Sequence, residues 1–561
     1  MKLSFSILSL IITVSLFSQN NLKNKITKEL NERSEVYISY DVEYVLSHKS
    51  EFEHLSFDKI ANNRVYFYAN KNDFNIIKRN SNTLNLELTP SKLNNIEMAT
   101  SVSSLIFSWD KYPTYQQYDS IMHKFEIDYP NLCKLQTIGT LASGRKIFAV
   151  KLGDSVNVDQ NEVKFLYTST MHGDETTGYL LMLRLVDYLL SNYNTDAYVK
   201  HLMDNVEIWI NPLANPDGTY HTNDSTVFGA TRYNANAVDL NRNYPDPEDG
   251  PHPDGKSYQP ETNIFMNFAD SVQFTMSANL HGGKEVANYP WDTWATLSAD
   301  DIWWKKVAKN FADTAQANSP SGYFDMFGTG YTNGYQWYSV WGGRQDYMNY
   351  FKHCREITLE ISDQKTIPEN QLNSFWEYLY PSFLNYINES TYGFRGQTTD
   401  SITGFAVKSK IEILNHDVDS SQVYSNDSGY YFRPIYAGTY DIMFSAKGYD
   451  SKTITNYQIY TDSAVVLNVI LSPSIIGVNN EIKKMDIRIY PNPLTGKNIN
   501  IESNIELTKI EVFDLLGKKY YESAPIKTYN YQFSFDNCPK GVYLIKLYSE
   551  KNSTTNKILI Q

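Results

Sequence analysis

The sequence predicts an α/β fold, with a mixed central sheet covered by helices on both faces, followed by two small all-β sandwich domains. Two observations predict this class. Between residues 112 and 392, short β-rich apolar runs alternate with a longer segment whose apolar residues recur at helical spacing. Beyond residue 392, short strands of alternating polarity are separated by Gly, Pro and Asn turns, a pattern typical of sandwiches. Strands that alternate with helices form a sheet covered on both faces.

One helix and four strands carry the prediction for the middle segment. The helix lies within TTGYLLMLRLVDYLLSNY, and its apolar face consists of Tyr179, Met182, Leu183, Val186, Leu189 and Leu190. The predicted strands are Val163–Thr170, Val206–Ile210, Phe274–Leu280 and Glu356–Ser362. Ligands of such sheets bind beyond the carboxyl ends of the strands, so polar residues that follow these strands are the candidate site.

The segment from residue 19 to residue 104 is predicted to form a small α+β unit that resembles a pro-domain. Strands at Glu35–Tyr40, Arg64–Asn70 and Thr83–Thr89 alternate with a helix at Asp73–Arg79. The sequence leaves open whether this unit inhibits, chaperones or merely decorates the rest of the chain.

Length and charge exclude some classes of protein. The 561 residues are enough for three to four domains, and 50 basic against 63 acidic side chains give a net charge of −13. Such a charge repels phosphate, so a nucleic-acid partner is not expected, whereas cationic substrates are compatible. With only Cys133, Cys354 and Cys538, at most one disulfide could form, and we expect none. We expect Cys354 to be a small buried apolar residue.

The first 18 residues have the pattern of a signal peptide. A lysine at position 2 precedes a Leu, Ile, Val and Phe run that ends near small residues and is followed by polar residues. The alternative is a buried helix or strand. No later run approaches the roughly 18 apolar residues needed to span a bilayer, so no transmembrane segment is expected in the mature chain. We expect a protein that is secreted or attached to the outer cell surface.

Candidate metal ligands follow two of the predicted strands. His172 and Glu175 follow Val163–Thr170, and His281 follows Phe274–Leu280, 106 positions after Glu175. Two imidazoles and one carboxylate are the ligand set of a catalytic zinc ion, whose fourth position stays open. A lone HxxE occurs by chance in many proteins, and either histidine alone is more simply a hydrogen-bonded polar residue. The combination with polar residues at other strand ends strengthens the metal hypothesis.

Four further motifs give the middle segment a family resemblance. RYNANAVDLNRNYPD, NYPWD, WYSVWGGRQDY and EITLEIS, together with the two ligand motifs, resemble the zinc metallocarboxypeptidases. The subfamily containing carboxypeptidases D, N and M is the most similar. The resemblance covers residues 112–472, implies the carboxypeptidase fold, and places the catalytic domain at residues 105–391. It implies one Zn²⁺ ion per catalytic domain, bound by His172, Glu175 and His281.

The resemblance also assigns the groups around the metal. Asp239, in VDLNR, matches the carboxylate that orients the first histidine, a contact that raises ligand basicity. Glu360 matches the general base that takes a proton from the zinc-bound water and later delivers one to the leaving amine. Arg232 matches the cation that stabilises the oxyanion. Taken alone, these residues are more simply a turn cap, a solvated strand residue and a surface arginine.

Recognition of a peptide terminus is assigned in the same way. Arg242 matches the guanidinium that grips the terminal carboxylate through two parallel hydrogen bonds. Asn241 and Tyr338 match the supporting residues, and Tyr338 precedes Glu360 by 22 positions, the spacing of the family.

The pocket for the last side chain is assigned to two residues. Gln345 matches a position that helps set the preference of the family, but its neutral side chain does not decide between substrates. Asp292, in NYPWD, matches the acid that accompanies a preference for C-terminal Arg or Lys. A desolvated carboxylate at the base of a pocket favours a cation and disfavours apolar side chains. The simpler alternative for Asp292 is a turn or helix-start aspartate.

Two small β-domains are expected after the catalytic domain. Residues 392–474 resemble the transthyretin-like domain of this subfamily, with Tyr430 and Phe432 facing Tyr440, Ile442 and Phe444. Residues 485–561 resemble the C-terminal sorting domain of type IX secretion, which implies the type IX machinery as a partner. An ordinary terminal β-module is the alternative.

The expected function is therefore a secreted zinc metallocarboxypeptidase that releases C-terminal Arg or Lys from peptides or proteins. Two alternative functions are also compatible with this sequence. One is a murein-peptide carboxypeptidase or amide hydrolase on the same scaffold, which Asn241, Arg242 and NYPWD disfavour. The other is a noncatalytic adhesin or binding module, which the complete set of ligands and base disfavours.

Overall fold

The computed structural model describes residues 21–52, 55–80, 83–93, 96–474, 485–536, 538–550 and 553–561. The chain divides into two compact units, one ending at Pro473 and one beginning at Ser474. The expected signal peptide, residues 1–18, lies outside the described residues. Within the described residues, no helix has the length and apolar character that crossing a bilayer requires.

The first described segment forms four helices and a four-stranded sheet. The helices are α1 (residues 21–33), α2 (Val42–Ser47), α3 (Lys49–Phe52) and α4 (Phe74–Arg79). The strands are β1 (Glu35–Asp41), β2 (Ser56–Ala61), β3 (Arg64–Asn70) and β4 (Asn85–Leu86), in the order β2-β3-β1-β4. Residues 21–92, with these elements and a short 3-10 turn at Pro90–Lys92, are called the N-terminal unit below.

Two predicted elements of this unit differ in extent. The strand expected at Thr83–Thr89 is formed only at Asn85 and Leu86. The N–H of Glu87 still donates to the carbonyl of Tyr37 in β1, and the chain then continues to the turn that starts at Pro90. The helix expected at Asp73–Arg79 begins at Phe74, because Asp73 closes a 3-10 turn that Asn70 caps. The strands predicted at Glu35–Tyr40 and Arg64–Asn70 are β1 and β3.

The middle segment forms one mixed eight-stranded sheet. Its strands are β5 (Cys133–Thr140), β6 (Lys146–Leu152), β7 (Val163–Ser169), β8 (Val206–Asn211), β9 (Met276–His281), β10 (Lys284–Tyr289), β11 (Tyr331–Asn333) and β12 (Arg355–Ser362), in the order β11-β10-β12-β9-β7-β8-β6-β5. The four predicted strands are its centre, β12-β9-β7-β8, and neighbours within this set are parallel. Their carboxyl ends therefore meet at one edge.

Helices cover both faces of this sheet, which confirms the predicted fold class. They are α5 (Val102–Ser108), α6 (Tyr115–Asp128), α7 (Thr177–Asn192), α8 (Ala197–Asn205), α9 (Pro216–Thr219), α10 (Pro260–Val272), α11 (Asp301–Ala317), α12 (Gly334–Trp337), α13 (Arg344–Lys352) and α14 (Leu372–Glu389). Alternate residues of β7 enter two cores: Phe165 and Tyr167 pack with α6, α7, α11 and α14, whereas Leu166 packs with α10 and α13. The predicted helix is α7, and its six predicted apolar residues are all buried.

A two-sheet sandwich follows within the same unit. Its strands are β13 (Gly393–Asp400), β14 (Lys410–Ile413), β15 (Val423–Tyr424), β16 (Tyr430–Arg433), β17 (Gly438–Ser445), β18 (Lys452–Ile459), β19 (Ala464–Val466) and β20 (Val469–Leu471). One sheet is β16-β13-β19 with β20 beside β13, and the other is β15-β14-β17-β18. Ile442 and Phe444 face the core, as expected.

The expected facing of β16 is wrong by one residue. Tyr431, not Tyr430 or Phe432, enters the core of the sandwich. Phe432 packs instead against the core of the preceding α/β domain. The outer face of β16 is therefore apolar because it is covered by another domain, which the sequence alternation does not distinguish from a sandwich core.

The second unit is also a two-sheet β-structure. Its strands are β21 (Ile487–Tyr490), β22 (Asn498–Leu507), β23 (Lys509–Asp514), β24 (Lys519–Glu522), β25 (Thr528–Ser534), β26 (Gly541–Tyr548) and β27 (Ser553–Ile560). They form the sheets β21-β22-β25 and β24-β23-β26-β27 around a core of their own. The prediction of two all-β domains after the α/β domain is confirmed.

Candidate metal centre and active site

Two parallel neighbours in the sheet bring the candidate ligands together. His281 is the last residue of β9, and His172 and Glu175 lie in the turn between β7 and α7. Because Ser169 pairs with Leu280, the chain leaving β7 emerges beside His281. Glu175 Oε1 lies 2.9 Å from His172 Nδ1, and Glu175 Oε2 lies 2.8 Å from His281 Nδ1. The two Nδ1 atoms are 3.1 Å apart.

These donors fit a zinc ion. All three ligand atoms lie within 4.8 Å of one another, and the three residues are buried. Burial lowers the pKa of His281 to about 4, so its imidazole is neutral, the form that binds a metal. Burial opposes ionisation of Glu175, but the charges of His172 and Lys365 hold the pKa of its carboxyl well below the usual range. Two imidazoles and a carboxylate are the three protein ligands of a mononuclear catalytic zinc ion, which keeps a fourth coordination position open.

Two further side chains contact Nε2 of the two histidines, on the side of each ring away from Glu175. Asp239 Oδ1 lies 3.0 Å from His172 Nε2, the position that the sequence assigned to it. The side-chain amide of Asn279, two residues before His281 on β9, lies 2.8 Å from His281 Nε2. A partner on the far nitrogen fixes the ring orientation and the tautomer of a ligand histidine. Sequence reasoning missed Asn279, although its i−2 spacing from His281 on one strand face could have indicated it.

Two buried cations surround the metal ligands. Arg232 lies with Nη1 3.3 Å from Glu175 Oε1 and Nη2 3.0 Å from Asp239 Oδ2. Lys365, which the sequence analysis did not single out, has Nζ 2.8 Å from Glu175 Oε1. It follows β12 by three residues, and nothing in its local sequence distinguishes it from a solvated lysine. Its position is set by the tertiary fold.

Glu360 faces the same cavity as the metal ligands. It lies on β12 opposite His281 of β9 in the parallel register, so both side chains project from the same face of the sheet. Its Oε2 is buried and has no hydrogen-bond partner among the described residues. Burial, and then the charge of Glu175, raise the pKa of Glu360 to about 8. A carboxyl with a pKa near neutrality can both accept and release a proton.

The residues expected to hold a peptide terminus are divided between two cavities. Asn241 and Tyr338 line the cavity of the metal ligands, and burial raises the pKa of the Tyr338 hydroxyl to about 12. Arg242 lines a neighbouring cavity of about 230 Å³. Its Nη1 donates to the carbonyl of Asn241 at 2.8 Å.

Asp292 and Gln345 lie behind the cavity wall rather than on it. Asn288 and Thr358, which contact these two residues, line the cavity instead. Asp292 Oδ1 accepts a hydrogen bond from Asn288 Nδ2 and one from Gln345 Nε2, each at 3.0 Å. Gln345 Oε1 accepts from the backbone N–H of Thr358 at 2.7 Å, so both ends of this amide are engaged within the protein. Gln345 therefore holds Asp292 in place.

Behind this wall lie two carboxyl groups, Asp292 and Asp346, and burial raises the pKa of each. Asp292 is 3% exposed, and burial raises its pKa to about 7. Asp346, also buried, accepts from the backbone N–H groups of Asp292 and Thr293. Within the described part of the chain, the side-chain donors to the Asp292 carboxylate are neutral amides, and the only charge that lowers its pKa is that of the more distant Arg242. A buried carboxylate without a cation is a favourable site for one.

The α/β sheet and its His2Glu centre define a mononuclear zinc protein, and comparisons identify its family. The model of zinc carboxypeptidases matches residues 118–382, and that of the secretion system C-terminal sorting domain matches residues 488–561. The chain is 32% identical to mouse carboxypeptidase D over 380 residues, 65% of this chain and 27% of that one. It is 32% identical to mouse carboxypeptidase M over 358 residues, 61% of this chain and 79% of that one.

One further relative and one solved structure are also similar to the chain. The chain is 31% identical to the human carboxypeptidase N catalytic chain over 382 residues, 61% of this chain and 82% of that one. The crystal structure of carboxypeptidase A from Helicoverpa armigera aligns with a TM-score of 0.48 and 17% identity, over 64% of this chain and 98% of that one. The chain belongs to the zinc carboxypeptidase family and carries a secretion sorting domain. It spans about a quarter of the length of the carboxypeptidase D proteins that it matches.

Proposed function

We propose that this protein is an exported zinc carboxypeptidase that removes C-terminal Arg or Lys from peptides or proteins. The observation that carries the proposal is the convergence of three kinds of group on one cavity. The His172, Glu175 and His281 ligand set, the Glu360 carboxylate and the Arg232 guanidinium all line it. A metal site, a proton carrier and a fixed cation beside one another are the parts that hydrolysis of an amide requires.

The residues divide the chemistry among them. When bound, zinc supplies a Lewis acid and lowers the pKa of a coordinated water. Glu360 Oε2, buried without a partner in the described structure, holds and moves the proton between the attacking water and the leaving amine. Arg232 stays charged in its buried position, because Asp239 and Glu175 outweigh the burial that would lower its pKa. It therefore stabilises negative charge that develops on the carbonyl oxygen.

The preference for a basic C-terminal residue is supported by hydrogen-bond acceptors on the cavity wall and behind it. Asn288 Oδ1 is buried with no partner among the described residues, and it stands next to the buried Asp292 carboxylate. These acceptors suit the N–H groups of a guanidinium or an ammonium. An apolar side chain in the same place would leave Asn288 Oδ1 buried without a hydrogen bond, which costs about 1–3 kcal/mol, and would leave the Asp292 charge without a cation.

The assignment of domains completes the proposal. Residues 392–474 are a transthyretin-like domain that supports the catalytic domain, and residues 485–561 direct export through the type IX machinery to the surface or exterior. The matched sorting domain supports this location.

Hydrolysis of peptides that differ only in their last residue tests the proposal. Mature protein with one zinc ion per chain should release Arg or Lys with a kcat/KM about 10² or more above that for Leu, since a buried polar pocket discriminates strongly. A chelator should abolish the release, and added zinc should restore it. Metal content is measured on the same sample by atomic absorption.

The alternatives give different results in the same experiment. Release from murein peptides or other amides without release of Arg or Lys would replace the peptide substrate by a cell-wall one. Absence of hydrolysis together with zinc content near zero and intact binding of peptides would make the protein a binding module. Either result contradicts the proposal.

A further inference from the structure

The start of strand β2 lies inside the candidate active site. Ser56 Oγ donates to Asp239 Oδ2 at 2.6 Å and accepts from Arg232 Nε at 2.7 Å. Asp239 orients a metal ligand and Arg232 is the proposed oxyanion cation. A side chain of the N-terminal unit is therefore bonded to two members of the proposed machinery, and it is buried.

The next two residues of β2 also contact this machinery. The ring of Phe57 lies 5.2 Å from the ring of Tyr338, one of the expected terminus-binding residues. Asp58 Oδ1 lies 3.1 Å from Lys365 Nζ, and Asp58 Oδ2 accepts from the Tyr37 hydroxyl at 2.6 Å. Phe57 and Asp58 line the cavity of the metal ligands.

Buried polar contacts fix the N-terminal unit in this position. Glu35 Oε2 accepts from the backbone N–H of Arg232 at 2.9 Å. Arg33 donates to the carbonyls of Gly229 and Ala230 at 2.8 and 2.9 Å. The Tyr68 hydroxyl donates to Asp174, beside the metal ligand Glu175. Satisfied buried groups of this kind belong to a built interface rather than a loose contact.

The space that remains is too small for a substrate. The cavity beside the metal ligands holds about 30 Å³, and the separate cavity that contains Arg242 holds about 230 Å³. Leu55 and Ser56 line the second cavity, whereas Phe57 and Asp58 line the first. Residues 55–58 thus stand between the carboxylate-binding arginine and the metal site. Pockets for small organic ligands measure about 300–1,000 Å³.

We infer that the N-terminal unit keeps the enzyme latent, with residues 55–58 occupying the path of a peptide C-terminus between Arg242 and the metal site. This inference rests on the proposed function. Substrate and β2 exclude each other, so a peptide binds only to molecules in which the unit has moved away. The apparent affinity for any active-site ligand is then reduced by the fraction of open molecules.

A charge reversal in the full-length protein tests the inference. Asp58→Lys places a cation opposite Lys365 and weakens the docked state, whereas Glu43→Lys makes the same change on an exposed residue of the same unit. The probes are a peptide ending in Arg and a guanidinoalkyl succinate, which mimics the terminus without being hydrolysed. Calorimetry gives the affinity for the succinate, and initial rates give kcat/KM for the peptide.

Asp58→Lys should raise both kcat/KM and succinate affinity by about 10- to 1,000-fold, the inverse of a minor open population. Glu43→Lys should match the wild type in both. A folded Asp58→Lys protein with unchanged zinc content, unchanged affinity and unchanged kcat/KM would overturn the inference. If no protein hydrolyses any peptide, the proposed function fails, but a gain in succinate affinity still supports latency.

Two further proteins decide the matter if Asp58→Lys does not fold. Phe57→Ala removes the contact with Tyr338 without a change of charge. A recognition sequence for a site-specific protease, inserted after the exposed Leu93, allows cleavage between the unit and the catalytic domain. Loss of the covalent link lowers the effective concentration of the unit, so activity should rise on dilution after cleavage. Equal activity before and after, with the unit separated on gel filtration, would overturn the inference.

Discussion

At the scale of single residues, Glu360 has the sharpest expected effect. Its side chain shares the cavity with the metal ligands, and its Oε2 has no hydrogen-bond partner among the described residues. Glu360→Gln keeps the shape but cannot take a proton, so kcat should fall by about 10²–10⁴-fold. Zinc content should not change, because Glu360 is not a ligand.

The measurement is kcat on a peptide ending in Arg, with zinc determined on the same protein. Asn349→Ala is a suitable comparison, since this half-buried residue on α13 bonds only backbone carbonyls away from the cavity. It should keep kcat within a few fold. A Glu360→Gln protein with wild-type kcat would contradict the assigned role.

Asp292 should make substrate selectivity depend on pH. Burial raises its pKa to about 7, so the carboxyl loses its charge as the pH falls through neutrality. Only the charged form attracts a basic side chain. The ratio of kcat/KM for peptides ending in Arg to that for peptides ending in Leu should therefore rise as the pH is raised through about 7.

Asp292→Asn should remove this dependence and lower the ratio by about 10-fold or more, since a charge-assisted hydrogen bond exceeds a neutral one by about 1.5 kcal/mol. Ratios are taken within one protein, so the ionisation of Glu360 affects both substrates and cancels. A ratio that stays constant over the pH range in the wild type would contradict the role of Asp292.

At the scale of elements, the contact between the α/β domain and the following sandwich centres on Asp300. This residue precedes α11 and is 5% exposed. Its carboxylate lies 2.7 Å from Arg433 Nη1 of β16 and 3.0 Å from Arg355 Nη2 of β12. Asp300 thus pairs one arginine from each domain.

Asp300→Ala should destabilise the protein by about 3–5 kcal/mol, because it leaves two buried guanidinium groups without this partner. Asp313→Ala, which breaks an exposed ion pair with Lys309 on the same helix, should change stability by at most about 1 kcal/mol. Urea unfolding followed by tryptophan fluorescence measures both. If the two variants were equally stable, the contacts of Asp300 with Arg355 and Arg433 would not be the main polar link between the domains.

The elements show what the sequence can predict. Apolar strand runs and helical periodicity predict β7, β8, β9, β12 and α7, because their side chains are buried in the cores on the two faces of one sheet. The same periodicity misplaces the inner face of β16, whose outer face is covered by another domain. Alternation reports burial but not the identity of the covering surface.

The candidate site shows the same limit to what the sequence can predict. His172, Glu175 and His281 were predictable because they follow strands whose carboxyl ends meet at one edge, and Asp239 was predictable only from the family resemblance of VDLNR. Lys365 and Ser56 were not, since each is an ordinary polar residue in sequence and becomes part of the site only through long-range contacts. Ser56 and Arg232 are 176 positions apart in the sequence, so no local pattern indicates their hydrogen bond.

At the scale of the whole molecule, zinc should stabilise one of two unfolding transitions. The first unit, ending at Pro473, contains the metal ligands, and the second, beginning at Ser474, has a hydrophobic core of its own. A ligand that binds only the folded state adds RT ln(1 + [L]/Kd), about 4 kcal/mol at a thousandfold excess over Kd. Calorimetry should therefore show one transition that shifts down on chelation and one that does not.

The variant His172→Ala with His281→Ala provides the control for this experiment. Without two of the three ligands, its first transition should already lie low and should not respond to a chelator. The transition of the second unit should occur at the same temperature in every sample, because its strands and core draw on no residue of the metal site. A chelator that lowers both transitions equally, or neither, would contradict a zinc ion bound within the first unit alone.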